Sequence, residues 1–217
     1  MNRLEFSPSF ARLLAGLVAC ILVAALSTPF YWGLPGAAGE NGPLEWTQEA
    51  LLLVAVVFSG AAAAALRGAE RMAAFFATLL YLVFLFRELE LPEIGPVTTY
   101  LGSEAFRWHE ALVLAALVLP YALLRRRHGR ALIAYGLSFK GWPFALAALC
   151  VGIGALFDGA PSLAGVLHLG TFLEETAELV AYAILAAAAG WVLAGVHGGE
   201  AVDGVSRDPL GCGAARS

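Results

Sequence analysis

Residues 172–196 form the stretch FLEETAELVAYAILAAAAGWVLAGV, which is apolar for most of its length but carries three carboxylates near its start. An α-helix needs about 20 mostly apolar residues to cross the ~30 Å hydrocarbon core of a bilayer. The stretch is long enough to do so, and it therefore predicts a membrane-crossing helix with an acidic cluster at one end.

The whole chain has the composition of a membrane protein. Of its 217 residues, 60% are hydrophobic and 14% are charged, whereas soluble domains are usually about 45–50% apolar. The apolar residues lie in long Ala- and Leu-rich blocks, which favour helices over a β-barrel. The composition predicts an all-α, polytopic integral membrane bundle in the lipid bilayer, and the net charge of −4 argues against a nucleic-acid partner.

The apolar blocks predict about six transmembrane helices. The predicted spans are 10–30, 46–66, 71–91, 105–124, 142–158 and 172–196. A short interfacial helix is expected at 131–138, and the stretch at 162–170, too short to span, is expected to lie in the interface or to re-enter the membrane. The predicted organisation is one transmembrane domain, 1–197, followed by a Gly-rich, flexible cytoplasmic tail, 198–217.

Basic residues predict the orientation. With six alternating helices, 11 of the 13 Lys and Arg residues fall on one side: Arg3, Arg12, Arg67, Arg71, Arg125, Arg126, Arg127, Arg130, Lys140, Arg207 and Arg216. Because positive charge marks the cytoplasmic face, both termini are expected in the cytoplasm. The expected location is the cell membrane, which is the inner membrane for a bacterial protein, with the acidic residues facing the outside or periplasm.

The acidic residues gather in one layer below the opposite surface. Twenty residues counted outward from the basic side enclose ionisable or amide groups on five helices: Gln48, Glu49, Arg87, Glu88, Glu90, Arg107, His109, Glu110, Asp158 and Glu178. A charged side chain facing lipid at the centre of a membrane helix costs roughly 2.5–3.5 kcal/mol even on the lenient insertion scale. These side chains are therefore expected to face one another or a water-filled cavity.

Helix phase supports an inward-facing stripe in the last span. Thr171, Glu175, Glu178 and Tyr182 follow i, i+4, i+7, i+11 spacing and so share one face of a helix. Glu174 has a simpler expected role, because Thr171 as N-cap would complete a T-x-x-E capping box with it.

The first functional hypothesis is a cation site, with a divalent metal such as Fe, Mn, Zn or Ca as the expected cofactor, because carboxylates with imidazoles suit these ions. The expected ligands are Glu49, Glu88, Glu110, Glu178, His109, Glu175 and His168. The expected supporting residues are Arg87, Gln48, Glu90, Asp158 and Tyr182. A metal with an open coordination position would permit a membrane enzyme, and the sequence leaves open whether there is one.

Two alternatives stay open. Intramembrane carboxylates often mark cation or proton paths, which favours a coupled transporter, although the inner halves of the helices lack matching ionisable residues. In a structural or partner-binding subunit, Arg87 would instead pair with Glu90 or Glu110. The small residues at 59–69 and in the last span would then allow contacts with other membrane subunits or a second copy.

Overall fold

A computed structural model describes residues 4–39, 41–89, 94–160 and 162–205, the last nine of these by their backbone alone. The helices are α1 (Pro8–Ala37), α2 (Pro43–Ala65), α3 (Gly68–Glu88), α4 (Pro96–Leu101), α5 (Glu104–Leu124), α6 (Gly129–Gly136), α7 (Trp142–Gly154) and α8 (Leu169–Val205). Single 3₁₀ turns precede α6 and α7, at Arg126–His128 and Phe139–Gly141, and two short strands, β1 (Ser162–Leu163) and β2 (Val166–Leu167), precede α8. The predicted all-α bundle is confirmed.

Five helices are long and apolar enough to cross a membrane: α1, α2, α3, α5 and residues Leu169–Val196 of α8. A sixth crossing is present if the segments Arg126–Gly136 and Phe139–Gly154 count as one span, which bends by 78° between them. On length and composition this is a polytopic membrane protein. The 13 residues of α7 rise only about 20 Å, so this helix alone is shorter than the hydrocarbon core.

The helix α8 lies at the centre of the bundle and packs against α1, α2 and α7. At one end of α8, Trp191 lies 5.3 Å from Phe10 of α1, measured between ring centroids. Near the same end, a Cβ built on Gly190 would lie 3.2 Å from the ring of Phe58 in α2. The small residue therefore brings the α2 and α8 backbones close together, as is common between membrane helices.

Local sequence signals explain several helix starts. Pro43 occupies the first turn of α2, where its missing N–H costs nothing. The hydroxyl of Ser103 accepts a 3.2 Å hydrogen bond from the backbone N–H of Phe106 and so caps α5. Both assignments agree with the sequence, and the short helix predicted at 131–138 corresponds to α6.

The α8 start differs from the predicted one. The helix begins at Leu169, so Thr171 lies inside its first turn, and the predicted capping box of Thr171 with Glu174 is wrong. His168 adopts a positive φ of 64°, and its carbonyl accepts a 3.1 Å hydrogen bond from the N–H of Phe172. The helical hydrogen bonds of α8 therefore start at His168, directly before the helix. At its other end α8 runs to Val205, past residue 197.

The segment before α8 is a hairpin. Ser162 pairs with Leu167 and Leu163 with Val166 in antiparallel register. Ala164 and Gly165 connect the strands with φ values of 50° and 81°, the positive pair that a two-residue type I′ turn requires. The hairpin follows the end of α7 at Gly154, four residues before the predicted end of the fifth span.

Candidate functional site

A group of polar side chains lies at one end of the bundle, where α2 and α8 begin and α3 ends. We call this group the polar network; its members are Gln48, Arg87, Glu88, Glu175, Glu178 and Tyr182. All six residues were named from the sequence. The predicted helical face supplies the α8 members, Glu175, Glu178 and Tyr182, which contact Gln48, Arg87 and Glu88, respectively.

Arg87 joins two carboxylates. Its Nη2 lies 2.6 Å from Oε1 of Glu178, and its Nε lies 3.1 Å from Oε1 of Glu88. The hydroxyl of Tyr182 donates a 2.8 Å hydrogen bond to the same Glu88 oxygen. The Glu178 side chain is only 7% exposed, whereas that of Arg87 is 54% exposed, so the guanidinium covers a buried carboxylate from the more open side.

Gln48 and Glu175 form the other half of the network. The amide Nε2 of Gln48 donates to the Glu175 side-chain Oε2 and to the Glu175 backbone carbonyl, both at 2.8 Å. Because both partners are acceptors, the orientation of the amide is fixed. Gln48 is fully buried, and its Oε1 has no hydrogen-bond donor among the residues that the structure describes.

A close approach of α7 helps to bury Glu178. A Cβ built on Gly154, the last residue of α7, would lie 3.4 Å from both the Glu174 carbonyl oxygen and the Glu178 Cγ. A large side chain at this position would displace α8 or its carboxylates. Sequence reasoning did not single out Gly154, although a glycine at a predicted helix end opposite an acidic cluster is a signal of close packing.

The network carries more negative than positive charge. With Glu88, Glu175 and Glu178 all ionised, one guanidinium leaves it at −2. Glu175 is repelled by Glu178 and Glu88, and its direct polar partner is the neutral Gln48 amide. Glu175 is therefore the carboxylate of the network for which a bound positive charge would relieve most repulsion.

The α5 candidates lie elsewhere. His109 is exposed, and its Nδ1 lies 2.7 Å from the hydroxyl of Tyr100 in α4. Glu110 is half-buried and interacts electrostatically with Arg107 of the same helix. Within the described ranges, no hydrogen bond or ion pair connects His109 or Glu110 with the polar network.

The remaining predicted site residues are Glu49, Asp158, His168 and Glu90. Glu49 is half-buried on α2, Asp158 is exposed in the turn after α7, and His168 is half-buried just before α8. Glu90 lies outside the described residues. In the part of the chain that the structure describes, no group of three or more His, Cys, Asp or Glu side chains is placed to hold a metal ion.

Comparison with known proteins adds no further assignment, because the chain matches no protein-family model, and no curated protein or solved structure is significantly similar to it.

Proposed function

We propose that this is a cation-binding membrane protein, that the cation is a proton, and that Glu175 beside Gln48 is its site. The single observation that carries the proposal is the buried Oε1 of Gln48, which has no donor among the described residues. A buried acceptor left without a hydrogen bond costs about 1–3 kcal/mol. A proton on the Glu175 carboxyl, whose Oε2 lies 2.8 Å from Nε2 of the same amide, would bring a donor to this amide group. It would also remove one negative charge from the network.

The number of ligands that metal ions require favours a proton over a metal ion at this site. Ca²⁺ takes six to eight oxygen ligands, and Zn²⁺ usually takes four protein ligands or three and a water. Among the described residues, no group of three or more His, Cys, Asp or Glu side chains is placed to hold a metal ion, and Arg87 already occupies one Glu178 oxygen. A proton needs only one carboxylate and one acceptor, and Glu175 and Gln48 supply both.

A proton site in this position suits a proton-coupled transporter better than an enzyme. Intramembrane carboxylates that face a bundle interior often belong to proton relays. A cavity of about 50 Å³ lies farther along the same bundle, lined mostly by apolar side chains but also by Ser59, Tyr81 and Tyr135. A proton path from the network towards the basic end of the bundle would pass these hydroxyls.

A structural role is the second candidate, and the Arg87–Glu178 ion pair favours it. An ion pair between α3 and α8 fixes these two helices relative to each other and requires neither catalysis nor ion movement. Fully satisfied polar networks stiffen a bundle in this way. The two candidates differ at Glu175, because a purely structural network needs no protonation change there.

The test is pH-dependent infrared difference spectroscopy on the full-length protein in liposomes. We expect a carboxylic-acid C=O band whose intensity changes with pH, which disappears in Glu175→Gln and persists in Glu174→Gln. Glu174 is the matched control because it is the preceding residue of the same helix, whereas the Gln48 amide donates its hydrogen bonds to Glu175. An unchanged band in Glu175→Gln would contradict the proton site and favour the structural candidate.

The transport part needs a separate measurement. A pH-sensitive dye inside proteoliposomes should report proton entry under an imposed gradient for the wild type and Glu174→Gln, and a rate near that of empty liposomes for Glu175→Gln. A titrating Glu175 without any flux would keep the proton site but exclude transport.

A further inference from the structure

The opposite end of the bundle has a cavity that the polar network does not use. It has a volume of about 360 Å³ and lies between α2, α3 and α5, and it is lined by Ala63, Ala64, Arg71, Phe75, Tyr121 and Arg125. Small side chains from α2 form its floor, aromatic side chains form its walls, and two guanidinium groups enter it from separate helices.

The two arginines are available to an anion. Arg71 lies in the first turns of α3 and Arg125 directly follows α5, so antiparallel helices bring both charges to the same cavity. In residues 4–39, 41–89, 94–160 and 162–196, neither arginine forms an ion pair with a carboxylate. The Arg125 guanidinium lies 5.1 Å from the centroid of the Tyr121 ring. Stacking of this kind holds the guanidinium while leaving N–H groups for an acceptor.

A mainly apolar seam lies farther along α3 and α5, and it includes Glu110 and His109 only at its far end. None of the α5 residues is buried, and the helix meets α3 through ring contacts near its ends: Phe75 with Tyr121 at 4.4 Å and Phe86 with Phe106 at 5.7 Å. Between these contacts is a second cavity of about 300 Å³. Its apolar lining includes Leu79, Leu82, Val113, Leu114 and Leu117.

The dimensions of the seam match one lipid leaflet. From Arg125 back to Val113, α5 rises about 18 Å, slightly more than half of the ~30 Å hydrocarbon core. An anionic group at the arginines would therefore have an apolar groove of acyl-chain length directly beside it. Basic pockets between transmembrane helices bind anionic lipid headgroups in this manner.

We propose that an anionic phospholipid binds in this seam, with its phosphate at Arg71 and Arg125 and one acyl chain between α3 and α5. The occupant is a lipid rather than a free phosphate, because the second, mainly apolar cavity begins one helical turn from the charged cavity, at Leu79 of α3 and Leu117 of α5. It is not a partner helix, because the positive charges of the cavity require an anionic group. This site is independent of the proton site at the other end.

The test is native mass spectrometry of the full-length protein in detergent, with phosphatidylglycerol and phosphatidylcholine of equal chain length in competition. We expect preferential binding of one phosphatidylglycerol. Arg71→Gln and Arg125→Gln should each weaken it about fivefold, which corresponds to the ~1 kcal/mol per basic residue typical at anionic membrane surfaces. Arg130→Gln is the matched control, since Arg130 is exposed on α6 and outside the cavity.

Each outcome decides the proposal. Equal binding of both lipids by the wild type would overturn it, and this measurement needs no variant to fold. An equal loss in Arg130→Gln would show that general positive charge, not the cavity, attracts the lipid. Inorganic phosphate that displaces the lipid at millimolar concentration would identify a free-anion site instead. A Leu117→Trp substitution, which fills the seam, should weaken phosphatidylglycerol binding, and unchanged binding would overturn the proposed path of the acyl chain.

Discussion

Arg87 shows how one residue determines the charge balance of the acidic end. Its guanidinium is the only cationic partner of Glu178 within the described residues, and the Glu178 side chain is 7% exposed. Removing one member of a buried ion pair leaves the other charge uncompensated and costs about 3–5 kcal/mol. Because Arg87 itself is 54% exposed, water offsets part of that cost.

We therefore predict that Arg87→Gln lowers the free energy of unfolding by about 2 kcal/mol, and that adding Glu178→Gln recovers part of this loss. Arg107→Gln, at an exposed position on α5, should change stability by no more than about 0.5 kcal/mol. Thermal unfolding of the wild type, Arg87→Gln, Glu178→Gln and the double variant in one detergent, analysed as a double-mutant cycle, measures the coupling, with Arg107→Gln as the control. Additive effects of the two network substitutions would show that the pair is not coupled.

At this scale the sequence predicted the members of the network but not their partners. The i, i+4, i+7, i+11 spacing on α8 identified Glu175, Glu178 and Tyr182 as one face. The hypothesis of a structural subunit pairs Arg87 with Glu90 or Glu110. Among the described residues Arg87 pairs with Glu178 and Glu88 instead, and Glu90 lies outside them. Spacing within one helix fixes which residues share a face, but which helix lies opposite depends on packing between segments far apart in sequence.

At the scale of helices, close contacts at glycine control how α2 and α8 pack. A Cβ on Gly190 would lie 3.2 Å from the Phe58 ring, whereas one on Gly195, also within α8, would meet no atom within 4 Å. Alanine is about 0.8–1 kcal/mol more favourable than glycine in a helix interior. At Gly195 an alanine would bring only this gain in helix propensity. At Gly190 an alanine would also require the Phe58 ring to move.

We predict that Gly195→Ala leaves the melting temperature unchanged or slightly raised, and that Gly190→Ala lowers it, because the added methyl group pushes Phe58 and α2 away from α8. Thermal unfolding of both variants under identical conditions is the measurement. A melting temperature of Gly190→Ala equal to or above that of Gly195→Ala would mean that the α2–α8 contact tolerates the added methyl group.

Hydropathy predicted most of the helices, because a long apolar run in a membrane must satisfy its backbone hydrogen bonds internally and therefore forms a helix. The spans at 46–66, 71–91 and 105–124 lie within a few residues of α2, α3 and α5. The region before α8 was harder to predict. There the chain bends by 78° before α7, which ends at Gly154, and then forms a hairpin. Hydropathy measures how apolar a window is, but not whether the chain changes direction inside it.

At the scale of the whole molecule, the two ends of the bundle differ in charge. The polar network with its three carboxylates lies at one end, and the cavity with Arg71 and Arg125 lies at the other. The positive-inside rule predicts that the arginine end faces the cytoplasm. The number of crossings decides where the C-terminus lies: six crossings return it to the side of the N-terminus, and five place it on the opposite side. The bent segment from Arg126 to Gly154 determines which number applies.

We predict six crossings with both termini in the cytoplasm. The polar network places the start of α8 beside the start of α2 and the end of α3, whereas α5 ends at the arginine end, so the chain must cross once more between α5 and α8. In a bacterial host, green fluorescent protein fused after Ser217 should fluoresce, and alkaline phosphatase fused there should be inactive. Alkaline phosphatase fused after Gly102, between α4 and α5, should be active and serves as the control for the acidic side. An active phosphatase after Ser217, with the control also active, would mean that α6 and α7 do not cross together, and that the short α7 with its hairpin enters and leaves the membrane on one side.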